Sequence, residues 1–124
     1  MIFIDRSIPK GVAEALKKVR DDVLWFEDRF PHDAKDTTWL PVAGANEWLV
    51  IVRDKKIRTR PGERRMLMEG NVGCFIVNQK RNLTRWGYLK LLTATLDKME
   101  ETFATMRRPF ICKVDAAGKF TFVS

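Results

Sequence analysis

The sequence predicts an α/β protein: a three-layer α/β/α sandwich around a central, mainly parallel sheet, ending in a C-terminal β-hairpin. Three observations predict it. Short apolar runs without polar interruption, Met1 to Ile4, Trp48 to Val52 and Gly73 to Val77, read as strands buried on both faces, as parallel strands are. Helical stretches alternate with these runs, and strand–helix–strand units in one sheet imply right-handed crossovers. An Asp follows each of two runs, Asp5 after the first and Asp54, past Arg53, after the Trp48 run. Ligands of open α/β sheets sit outside the carboxyl ends of the strands, where both Asp residues would lie.

The elements follow in order. Residues 1–5 form the first strand. Pro9 opens a helix whose Val12, Ala15, Leu16 and Val19 make one apolar stripe. Val23 to Phe26 give a short second strand, and Glu27 to Lys35 a polar loop. Asp36 reads as the cap of a short helix, or as its preface if Pro41 shifts the start to Thr38; Gly44 weakens it. Trp48 to Val52 are the third strand. Pro61 to Glu69 are a helix with Pro in its first turn and Gly70 past its end. Gly73 to Val77 are the fourth strand. Thr84 to about Met106 is the longest helix, with Leu89, Leu92, Leu96, Met99 and Phe103 spaced by three and four residues. That seam either packs on the sheet or offers a face to a second copy or a partner helix. Phe110 to Val114 and Lys119 to Val123, joined by Asp115-Ala116-Ala117-Gly118, form the hairpin.

The 124 residues, 45% hydrophobic and 31% charged, suit one soluble domain over 1–124. No apolar run reaches the ~20 residues that span a bilayer, and no leader pattern precedes the first strand, so a cytoplasmic protein without membrane contact is expected. Cys74 and Cys112 lack metal-ligand spacing and read as buried thiols, and His32 has no partner pattern. The net charge of +7 favours polyanions, nucleic acid among them, or serves solubility.

Two carboxylates at one sheet edge repel each other unless a cation or a proton relieves them, so Asp5 and Asp54 point to a metal site. Basic residues follow the same strands: Arg6 and Lys10 after the first; Arg53, Lys55, Lys56, Arg58 and Arg60 around the third; Lys80, Arg81 and Arg85 after the fourth, interleaved with Asn78, Gln79, Asn82 and Thr84. Carboxylates that hold a cation, ringed by groups that hold backbone phosphates, suit phosphodiester cleavage. The plain alternative is a helix-capping Asp beside solvated charge.

The pattern resembles the PIN-domain superfamily of metal-dependent ribonucleases, most closely the VapC-type toxins and their short PIN-like relatives. Phe3-Ile4-Asp5-Arg6-Ser7-Ile8-Pro9 is similar to that family's first strand and helix start, Asp36-Thr37-Thr38-Trp39-Leu40 to its acidic helix, and Val50-Ile51-Val52-Arg53-Asp54-Lys55 to its third-strand signature. Asn78-Gln79-Lys80-Arg81-Asn82-Leu83-Thr84-Arg85-Trp86 resembles a stretch of one PIN-like subgroup. The resemblance implies that Asp5, Asp36 and Asp54 ligate Mg²⁺ or Mn²⁺ and catalyse RNA hydrolysis. It implies RNA contacts from Arg6, Arg53, Lys55, Lys56, Lys80, Arg81 and Arg85, with Ser7, Asn82 and Thr84 orienting water or ligands. It also implies a cognate antitoxin protein as partner and a homodimer. The chain departs from the family in lacking a carboxylate soon after the fourth strand and in placing Arg6 beside the first Asp, which leaves one metal or two open.

Two other classes remain open. One is a PIN-like module without activity that binds RNA or protein. The other is a phosphoacceptor receiver domain with Asp54 as acceptor and Lys80 as its lysine, which fits poorly because Arg6 stands where a second acid is wanted.

Overall fold

Each uninterrupted apolar run becomes a strand with both faces covered. The computed structural model describes residues 1–53, 61–77 and 83–123. Its elements are β1 (Ile2–Ile4), α1 (Lys10–Lys17), β2 (Val23–Trp25), a 3-10 turn (Phe26–Asp28), α2 (Asp36–Ala45), β3 (Leu49–Val52), α3 (Pro61–Glu69), β4 (Gly73–Val77), α4 (Arg85–Thr105), β5 (Phe110–Val114) and β6 (Phe120–Val123). The strand order is β2-β1-β3-β4-β5-β6. Pairing is parallel from β2 to β5, and only β6 runs antiparallel, against β5, as the predicted hairpin requires.

Side chains alternate across this sheet and divide the core in two. Ile2, Ile4, Leu49, Ile51, Phe75, Val77 and Cys112 face α1 and α4, where Val12, Leu16, Leu92, Leu96 and Met99 close the layer. Phe3, Val50, Val52, Cys74, Ile76 and Ile111 face α2 and α3, with Trp39, Leu40, Ala43 and Leu67. The result is the expected three-layer sandwich. The α4 seam lies on the sheet: Leu92, Leu96 and Met99 are buried, with Leu89 and Phe103 packed against them. It is therefore not the docking face for a second copy or a partner helix.

Three local expectations need correction. Val19 does not join the α1 stripe: the helix ends at Lys17 and leaves Val19 78% exposed, while Ile8 and Ala13 complete the buried face. The second strand stops at Trp25, because Phe26–Asp28 coils into a 3-10 turn whose Asp28 Oδ2 accepts the Trp25 N–H at 2.8 Å. Helix α2 starts neither by an Asp36 side-chain cap nor at Thr38. Lys35 is its N-cap without a side-chain bond, Asp36 is its first residue, and Pro41 lies within it. Gly44, which weakens α2 by propensity, has a packing reason: a Cβ there would fall 1.8 Å from the Gly70 carbonyl oxygen.

The connections position the site. α1 leaves β1 over one face, whereas α3 lies over the other face between β3 and β4. Where neighbouring parallel strands send their connections to opposite faces, a crevice opens above their carboxyl ends. Here that place is above β1 and β3. Among the described residues, no helix is long and apolar enough to cross a membrane.

Candidate functional site

Asp5 is the residue after β1, and its backbone N–H donates to the Ile51 carbonyl of β3 at 3.0 Å, so the switch point fixes its position. The side chain is 6% exposed. Ser7 secures it twice: the Ser7 N–H donates to Oδ2 at 3.0 Å and the hydroxyl donates to the same oxygen at 2.6 Å. The Ser7 oxygen in turn accepts the Arg53 N–H at 2.9 Å, which ties the end of β1 to the end of β3. Burial pushes the Asp5 carboxyl above its ordinary value; the Ser7 hydrogen bonds and Arg6 oppose the rise, and the negative charge of Asp36 adds to it.

Asp36, at the start of α2, faces the same space. Its Oδ1 accepts the Trp39 indole N–H at 2.7 Å and lies 4.0 Å from Arg6 Nη2. Arg6 is held from several sides. Its Nη1 donates to the carbonyl oxygens of His32 at 3.0 Å and Ala34 at 2.5 Å, and its guanidinium lies 4.4 Å from the centre of the Phe26 ring. An arginine so engaged fixes the segment before α2 and sets the charge beside Asp36.

Asp5, Arg6, Ser7 and Asp36 line one open hollow of about 650 Å³, with His32, Asp33, Lys35, Trp39, Val52 and Glu63 around them. Sequence reasoning named the first four. Of the other acids, Asp33 and Glu63 line the hollow, and Glu27 does not, its carboxylate lying 3.7 Å from the His32 ring. Trp39 and the backbone of His32 and Ala34 were missed. An acid and an indole three residues apart share a helix face, so the Asp36–Trp39 pair was legible; the grip of Arg6 on carbonyls far along the chain carried no sequence signal.

The remaining residues divide. Arg53 is adjacent through its N–H. Thr84 caps α4, its side-chain oxygen accepting the Gly87 N–H at 3.0 Å, and Arg85 lines a separate hollow. Asp54, Lys55, Lys56, Lys80, Arg81 and Asn82 lie outside the described residues.

The donor set suits a hard cation. Mg²⁺ takes oxygen ligands and is commonly held by one or two carboxylates while keeping several waters. Four acids line the hollow, Asp5, Asp33, Asp36 and Glu63, and burial disfavours the charged form of Asp5, which a cation would relieve. Among the described residues no three Asp, Glu, His or Cys side chains form a complete ligand set.

The family model described as "PIN like domain" matches residues 1–79, a span running from β1 through β4 and containing all three of Asp5, Asp36 and Asp54. No curated protein and no solved structure matches.

Proposed function

Since the chain belongs to the PIN-like domain family, we propose that it is a Mg²⁺- or Mn²⁺-dependent ribonuclease, the toxin of a bacterial VapC-type toxin–antitoxin pair. On this reading it is a single cytoplasmic domain over residues 1–124, hydrolyses RNA phosphodiesters, meets a cognate antitoxin protein and forms a homodimer. The observation that carries the reading is the buried Asp5 carboxylate, locked by Ser7 at the switch point and sharing its hollow with Asp36.

Asp5, Asp36 and Asp54 would hold the cation. When bound, it stabilises the negative charge that develops on the phosphoryl oxygens and favours in-line attack by water. The chain's own residues prepare that chemistry. Ser7 holds Oδ2 of Asp5 by two hydrogen bonds, which fixes the carboxylate where the residue lines the hollow. Arg6 and Trp39 orient Asp36. Arg53, Lys55, Lys56, Lys80, Arg81 and Arg85 supply positive charge for the RNA backbone, and Asn82 and Thr84 the polar groups beside it.

The test is incubation of purified protein with total RNA in Mn²⁺, in EDTA, and as Asp5→Asn. Cleavage by the wild type with metal alone is expected. Intact RNA under every metal, with the protein shown to be folded, would overturn the reading.

One observation favours a second reading, a PIN-like module that binds RNA or protein without cutting. Asp36 Oδ1 already accepts from Trp39 and lies near Arg6, which lessens its availability as a ligand. A Mn²⁺ titration separates the two, because a binder has no need of the ion. The receiver-domain alternative finds no comparable support: Arg6 is anchored to backbone carbonyls where that class wants an acid.

A further inference from the structure

We propose that the hollow beside Trp86 is a base-stacking subsite for single-stranded nucleic acid, which is RNA on the nuclease reading, and the proposal rests on that reading. Trp25, Trp39 and Trp48 are buried, whereas Trp86 is 65% exposed. The core does not need it. On the same helix Tyr88, Leu91 and Leu92 make the contact with the sheet, and Trp86 stands in the first turn of α4 facing away.

Its surroundings suit a polyanion that carries bases. Lys90 Nζ lies 6.0 Å from the centre of the indole ring. Arg85 packs against α1, its Cδ 3.4 Å and its Nη1 3.9 Å from where a Cβ on Gly11 would lie, so the glycine lets this cation lie close beside the hollow. Gly11, Val12, Arg85, Trp86 and Leu89 enclose an open space of about 250 Å³, the scale of a planar ring rather than of a drug-sized ligand. An exposed aromatic flanked by cations is the arrangement on which bases stack while backbone phosphates are neutralised. A docking patch for an apolar protein segment would instead be broad and uncharged at its centre.

The place in the fold links this hollow to the acids. α1 follows β1 and α4 follows β4 in a parallel sheet, so both helix starts stand at the strand edge that carries Asp5. Gly11 is close to Asp5 along the chain, which limits their Cα separation to about 20 Å. A short single strand reaches from one to the other.

The experiment is a binding titration in EDTA with labelled oligouridylate, oligothymidylate and duplex RNA, comparing wild type, Trp86→Ala and Trp86→Phe. Each variant is first checked for a native circular dichroism spectrum, which an exposed position should preserve. Trp86→Ala should weaken oligouridylate binding about 5- to 150-fold, the value of one stacked base, leave duplex binding unchanged, and be rescued by Trp86→Phe. Wild-type tryptophan fluorescence should be quenched on binding, and Trp86→Phe should lose the quench while still binding. Wild-type affinity in Trp86→Ala, an equal loss on duplex, a loss on oligothymidylate alone, or a wild type that fails to bind oligouridylate would each overturn the proposal. Because the titration needs no metal, its failure is read separately from a failure to cleave RNA in Mn²⁺.

Discussion

The Ser7 hydroxyl donates to Asp5 Oδ2 at 2.6 Å while its oxygen accepts the Arg53 N–H at 2.9 Å, so one side chain both aims the buried carboxylate and joins two strand ends. Ser7→Ala removes both bonds, so Asp5 Oδ2 keeps only the backbone N–H of residue 7 and the Arg53 N–H loses this acceptor. We expect a loss of about 1–3 kcal/mol, read as a lower midpoint in urea, together with weaker RNA cleavage at neutral pH. Unchanged stability would show that water replaces the hydroxyl.

Asp5 also sets a pH dependence. Its folded-state pKa is raised chiefly by burial, so the ionised carboxylate opposes folding. That penalty is absent below the ordinary value of 3.8 and appears as pH rises through the raised folded value. Asp5→Asn removes it. The variant should melt higher than wild type at neutral pH, with the advantage shrinking toward zero near pH ~4, and it should not cleave RNA. A variant less stable than wild type at neutral pH would contradict the burial argument.

Two glycines give opposite outcomes. Gly44→Ala drives a Cβ to 1.8 Å from the Gly70 carbonyl oxygen, a backbone atom that cannot swing aside. The helix must shift, at a cost of about 3 kcal/mol or more. Gly62 lies in α3 with nothing among the described residues within 4 Å of an added Cβ, so Gly62→Ala should stabilise by about 0.5–1 kcal/mol. Thermal melts of the pair check both signs.

The thiols should be silent. Burial pushes Cys112 up to about 11 and Cys74 further still, and both are free and buried. A thiol reagent at neutral pH should label neither until denaturant is added. Rapid labelling of the native protein would show that the β4–β5 region opens.

What was legible in the sequence follows from physical range. β1, β3 and β4 could be read because strands covered on both faces carry no polar residue, and α4 because its seam repeats over about four turns. The 3-10 turn at Phe26–Asp28 has no periodicity to read. The start of α2 misled because Asp36 satisfies an indole three residues on instead of the helix's own N–H groups. At the site, Asp5 and Ser7 were legible as neighbours in sequence. That Asp36 shares their hollow came only by resemblance, since the fold brings it there through a crossover. Arg6 reads from the sequence as an RNA contact, and no local pattern reveals that carbonyls of His32 and Ala34 also hold it.

The register that pairs Ile2 with both Val23 and Leu49 has a consequence for biosynthesis. β1 leaves the ribosome before either neighbour, and one of its hydrogen-bonding edges waits until Leu49 has been added. Until then a fully apolar strand is open to any passing edge, a state that invites chaperone capture or aggregation. The same delay means that a polypeptide broken off before β3 lacks the wall on which Asp5 rests. Translation therefore sets the earliest moment at which the acidic hollow exists, and incomplete chains emerge without it.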